Sequence, residues 1–121
     1  MTLKKIRLEL ARTPQFPGGN ARCGYEFKAP LDAGGHLDAR EWPNLKDECT
    51  VRRFWQHEND EFGQLLHHRG KRWVFSYRPG DDDDEPIFRL DTHVFKVGEY
   101  VSVTEHDGVT RPFKVADVWP T

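Results

Sequence analysis

Sulfur is scarce in this chain: two cysteines and one methionine in 121 residues. Cys23 and Cys49 lie far apart and form no C-x-x-C pair, so the sequence carries no disulfide framework. Free thiols in a reducing compartment are the expectation, with a Cys23–Cys49 bridge as the alternative. Long apolar runs are also missing. None approaches the ~18 residues of a membrane-spanning helix. The opening Met-Thr-Leu-Lys-Lys-Ile-Arg has basic residues but no apolar stretch after them, so no secretory signal is expected. A cytoplasmic protein with no membrane association follows as the expectation. Net charge is −2, which gives no global attraction to nucleic acid or to anionic lipid.

Apolar residues are few as well, at 36%, and charged residues reach 31%. Aromatics offset this, with eight Phe and four Trp. Disordered chains are poor in aromatics. The composition therefore predicts one folded domain over residues 1–121, with a thin core built from large rings and a highly charged surface.

Catalytic signatures are absent. There is no G-x-S-x-G, no P-loop, no dinucleotide-binding glycine pattern and no H-E-x-x-H. No serine stands in the context of a nucleophile. His36, Cys49, His57, His67, His68, His93 and His106 offer metal-ligand types, but none has a zinc spacing. His67 and His68 are adjacent, so on a strand they point to opposite faces. No metal and no cofactor are expected, and the chain is read as a non-enzyme.

What is present is strand pattern. Residues 97–118 read as a β-hairpin and organise the rest. A two-residue Asp107-Gly108 turn would set Tyr100 opposite Val115 and leave Val101 facing Lys114. A three-residue loop, His106-Asp107-Gly108, instead pairs Glu105 with Val109, Val103 with Arg111, Val101 with Phe113 and Glu99 with Val115. That register gathers Val101, Val103, Phe113 and Val115 on one face and is preferred, because a one-residue slip inverts a strand. Pro112 should then direct its missing N–H away from any partner strand.

Upstream, Ile6, Leu8 and Leu10 alternate in a first strand, and Cys23, Tyr25 and Phe27 in a second that ends before Pro30. Residues 31–36 form a tight turn. Asp38 and Glu41 have capping-box spacing and predict a short helix over 39–47, kinked at Pro43 and anchored by a buried Trp42. Residues 51–56 predict a strand with Arg52 and Phe54 on one face and Val51, Arg53 and Trp55 on the other. Residues 62–67 and 72–78 predict a hairpin with an aromatic stripe of Trp73, Phe75 and Tyr77. An acidic run, Asp81 to Glu85, is bracketed by prolines and reads as a solvated loop, with weak cation binding or docking to a basic patch as its functional alternatives. A short strand at 87–90 follows. The chain is thus mainly β: an antiparallel small barrel or strongly curved sheet of seven or eight short strands with one short helix near 39–47.

The segments Val51-Arg52-Arg53-Phe54-Trp55, Gly98-Glu99-Tyr100-Val101-Ser102-Val103 and His106-Asp107-Gly108 resemble a family of small bacterial proteins. That resemblance implies no activity. The C-terminal hairpin is also similar in pattern to strands of SH3-like small barrels, a likeness of fold that carries no function.

One constellation suggests binding. Between Val51 and Arg78 there are six Arg or Lys against three Asp or Glu. Arg52, Arg53, Arg69, Lys71, Arg72 and Arg78 interleave with Phe54, Trp55, Trp73, Phe75 and Tyr77. Cations flanking aromatic platforms are what single-stranded nucleic acid binding uses. The competing reading makes the rings core and the cations a solvated edge, and it is preferred. The sequence therefore points to a small soluble binding module with a protein partner. Single-stranded nucleic acid binding through Arg52, Arg53, Trp55, Arg69, Lys71 and Arg72 is the first alternative, and a small-molecule enzyme or carrier using a barrel mouth the second. Oligomeric state is left open.

Overall fold

The computed structural model describes residues 3–68, 72–77, 85–88, 94–105 and 107–121, and only the backbone of 68, 72 and 85–88. Alternation in the first strand is realised as β1, Leu3–Leu10, where Ile6, Leu8 and Leu10 are buried. β2, Asn20–Pro30, buries Cys23, Tyr25, Phe27 and Ala29. There follow β3 (Thr50–Phe54), β4 (Glu61–His68), β5 (Arg72–Ser76), β6 (Glu85–Phe88), β7 (Tyr100–Thr104) and β8 (Thr110–Pro120). Each strand pairs antiparallel with the next, and β8 returns to pair with β1, which closes the barrel. β6 is the thinnest stave, with two paired positions to each neighbour. Closure leaves no free sheet edge along this circuit, so recognition by strand addition has no template. No helix among the described residues is long and apolar enough to cross a membrane.

The β7–β8 hairpin adopts the three-residue register. Val101 pairs with Phe113 and Val103 with Arg111, and Glu105 N–H donates to Val109 O at 3.0 Å. Gly108 closes the loop at φ 81°, a conformation open to glycine. Val101, Val103, Phe113 and Val115 all face the interior. Pro112 O accepts from Ala11 N–H, one residue past the end of β1. N–H and C=O of a strand residue point the same way. The missing N–H therefore lies where β1 has already ended.

Rings fill the interior. Tyr25 stacks on Phe75 at 4.8 Å between centroids and meets Phe113 edge-on at 5.2 Å, while Phe27 contacts Phe75 and Phe95. The segment between β2 and β3 packs against the core through Leu31, Leu37 and Cys49. Its helix is shorter and later than the sequence suggested: α1 spans Trp42–Leu45 and continues as a 3-10 turn over Lys46–Glu48. Asp38 Oδ1 does accept from the N–H groups of Arg40 and Glu41, but it caps a preceding turn. The helix starts later because Pro43 is tolerated only in a first turn, where its missing N–H has no partner to lose. Trp42 is half-buried rather than core. Its Nε1 donates to Leu65 O at 3.0 Å, and its ring meets Trp73 edge-on.

Gly24 is required by packing. A Cβ there would land on the carbonyl oxygen of Leu8 in β1 and within 3.1 Å of the Phe54 ring. That oxygen belongs to a ladder and cannot move alone. Gly24→Ala is expected to cost ~1–3 kcal/mol, the usual penalty of overpacking. Urea unfolding measures it, and an unchanged midpoint would contradict the close β1–β2 approach.

Candidate functional site

β3 carries Arg52 and Arg53 of the sequence-nominated patch, with Trp55 just past its end, and splits the two arginines between two faces. Strand parity turns Arg53 inward with Val51, and Arg52 outward with Phe54. Arg53 is 6% exposed, so it is a mouth residue of the barrel and not part of an outer surface. Arg69 and Lys71 lie outside the described residues, as do Asp81 to Asp84 of the acidic run. Only the backbone of Arg72, in β5, is described.

At the mouth, charges neutralise one another. Glu105, 2% exposed, sits just past β7. Its Oε2 accepts from Tyr25 OH at 2.8 Å, from Arg53 Nη2 at 2.9 Å and from Arg53 Nε at 3.1 Å. Its Oε1 accepts from Arg111 Nη1 at 2.7 Å. Arg111 reaches on to Asp107, and the hydrogen bonds it donates to Asp107 and then to Glu105 hold its guanidinium above its ordinary value despite burial. Glu58 and Glu61 stand 3.5 and 3.8 Å from Arg53 Nη1. The Arg53 guanidinium lies over the Trp55 ring at 4.4 Å, and Arg111 approaches it at 5.9 Å. Trp55 also packs against Phe113. Its partly exposed ring is therefore in contact with cations of its own chain and with the core. Burial pushes the Cys23 thiol up, and the Cys49 thiol to about 11; both are free.

The outer face is ordered differently. Arg7 in β1, Glu26 in β2 and Arg52 in β3 form one cross-strand row. Glu26 accepts from Arg7 and Arg52, and Arg52 also pairs with Asp60 at 2.9 Å. The two guanidiniums flank the Phe54 ring at 4.4 and 5.0 Å. Phe54 faces outward yet is buried, because it lies over the bare backbone of its cross-strand partner Gly24. Burial pushes the Glu26 carboxyl up, but its hydrogen bonds from Arg52 and Arg7 outweigh that and hold it below the usual range. A lowered carboxylate pKa stabilises the fold above its unfolded value and is lost as pH falls through the folded one. Glu26→Gln is thus expected to cost ~1–3 kcal/mol at neutral pH. The difference from wild type should shrink below about pH 4. A pH series of urea midpoints checks it; a gap that persists in acid would contradict it.

One register further down the barrel, the row changes character. Lys5 in β1 faces Lys28 in β2 directly, and Trp119 in β8 stands on the other side of Lys5. Lys5 Nζ lies 5.9 Å from the Trp119 ring centroid. Among the described residues neither lysine has a carboxylate within ion-pair distance. A groove of about 360 Å³ opens here, lined by Lys5, Lys28, Thr50, Arg52, Glu26 and Phe62. Phe62 is 68% exposed on β4, opposite Arg52. Sequence reading missed this surface because its members come from β1, β2, β3, β4 and β8. Only the pairing of β8 with β1 brings Trp119 to Lys5.

The described His, Cys, Asp and Glu residues form no group of three placed to hold a metal ion. No protein-family model, no curated protein and no solved structure matches this chain.

Proposed function

We propose that the protein is a binding module, not an enzyme, and that it holds an acidic segment of a protein partner in the outer groove between Phe62 and Trp119. The observation that carries this reading is the direct cross-strand pair Lys5–Lys28. Like charges set opposite each other destabilise a sheet. Elsewhere on this face Arg7 and Arg52 are matched by Glu9, Glu26 and Asp60. A pair that costs stability and, among the described residues, has no carboxylate within ion-pair distance, only the longer-range attraction between Lys5 and Glu26, fits carboxylates brought by a partner. Phe62 lines the groove and Trp119 stands next to Lys5 on β8, so apolar surface flanks the lysines, the composition expected of a recognition centre. Two buried free thiols fit a reducing, cytoplasmic setting.

A protein segment is favoured over a nucleic acid strand. The protein is slightly acidic overall, which opposes a long polyanion. Arg52 and Arg53 are already paired within the chain. Catalysis is disfavoured because the mouth carboxylate Glu105 has both oxygens engaged by its own chain.

The test compares capture by wild type and by Lys5→Glu/Lys28→Glu from nuclease-treated lysate of the native cell. The reading expects acidic proteins held by wild type and released by the double variant. Retention that is unchanged in the variant, or that disappears on nuclease treatment, would overturn it.

A further inference from the structure

A separate cavity of about 540 Å³ lies on the outer face over β7, β8 and β1, where the loop between β1 and β2 passes alongside. Its wall is another cross-strand row: Tyr100 in β7 pairs with Lys114 in β8, and Lys114 with Glu9 in β1. By register Lys114 should be neutralised by Glu9. It is not within ion-pair distance; Glu9 pairs instead with Arg7, whose Nε donates to Glu9 Oε2 at 2.7 Å. Among the described residues Lys114 is left with no ion-pair partner, and the same holds for Arg12 at the cavity's upper rim. Tyr100 is 60% exposed beside them.

The other wall is constructed with care. β2 carries a bulge here: Glu9 pairs with Gly24 but Leu10 pairs with Asn20, so residues 21–23 are extra. Arg7 Nη2 pins the bulge through Ala21 O at 3.0 Å. Bulges of this kind are frequent beside binding sites, where they re-aim backbone and side chains. Gly19 stands at φ 78°, and a Cβ on it would come within 2.7 Å of Leu10 O, so the loop hugs the end of β1. Gly18, by contrast, has open space where a side chain would go.

We infer that this cavity binds a small phosphate monoester carrying a planar ring, of the nucleoside monophosphate class. Arg12 and Lys114 take the phosphate, as charge-assisted donors do. Tyr100 offers its face to the ring. Glu9 Oε1, which takes no hydrogen bond from a described group, accepts from a sugar hydroxyl. The volume suits a ligand of that size. No residue of the Lys5–Lys28 groove takes part, so this site stands or falls independently of the partner groove.

Adenosine 5′-monophosphate titrated into the isotope-labelled full chain is the probe, with adenosine and inorganic phosphate as separate arms. Saturable shifts are expected at Arg12, Gly18, Tyr100 and Lys114, with Kd near ~1 mM or tighter. Lys114→Ala and Tyr100→Ala should each weaken binding about tenfold, and both residues are exposed, so the fold should survive. Gly18→Val, which projects into open space, should block binding. Lys5→Glu/Lys28→Glu should leave it unchanged. Adenosine and phosphate alone should each bind at least about tenfold more weakly. Absence of saturable shifts with the monophosphate, equal binding of adenosine, or full binding by Lys114→Ala would overturn the assignment.

Discussion

Glu105→Ala is expected to destabilise the protein by ~3–5 kcal/mol, because it removes the buried carboxylate to which both Arg53 and Arg111 donate. Arg53 has 7% of its side chain exposed, and both Nε and Nη2 point at Glu105 Oε2. Tyr25 OH would lose its acceptor in the same step. Removing both charges should be gentler. Arg53→Met/Glu105→Leu is expected to recover part of the loss, since apolar replacements of similar volume are tolerated where a lone charge is not. Urea denaturation of wild type, Glu105→Ala and the double variant measures this. A loss under ~1 kcal/mol in Glu105→Ala would mean that the mouth is wet, as at an exposed ion pair. The small-molecule reading of the barrel mouth would then regain force.

Trp73→Ala is the second large effect, also ~3–5 kcal/mol, the usual cost of truncating a buried ring. Trp73 is 4% exposed in the core cluster. It packs against His67 at 4.4 Å and takes the edge of Trp42 at 6.3 Å. The loss should be accompanied by loosening of α1, since Trp42 is that helix's only ring in the contact. Thermal unfolding reads the first effect, and hydrogen exchange of the Trp42 indole N–H the second. An unchanged Tm would place Trp73 at the surface and contradict the filled interior.

The architecture was legible where apolar residues decide register. The pairing of Val101 with Phe113 followed from gathering four apolar side chains on one face, and β1 and β2 followed from alternation alone. Parity also placed Arg53 beside Val51 and opposite Arg52. Pattern could not reveal the consequence, since Arg53's neutralising partner is 52 residues later, past the end of β7. Reading Arg53 with Arg52 as one patch failed for that reason. The outward Phe54 was equally opaque: its burial depends on a glycine in another strand. The helix was placed too early because Asp38 and Glu41 have the spacing of a box, whereas Pro43 sets where a helix can begin. Lys5, Lys28 and Trp119 look like ordinary polar-face or terminal residues until β8 closes on β1.

The groove is tested most directly by residue-level mapping of the labelled protein against two probes at about 0.15 M ionic strength. One is a synthetic peptide of alternating Glu and Leu, the other a single-stranded thymidine oligonucleotide. The peptide is expected to move signals of Lys5, Lys28, Phe62 and the Trp119 indole, and to lose that effect in Lys5→Glu/Lys28→Glu. The oligonucleotide is expected to move none of them. Salt-sensitive shifts with the oligonucleotide that vanish in the same variant, with the peptide inert, would contradict the account and make the groove a nucleic acid site.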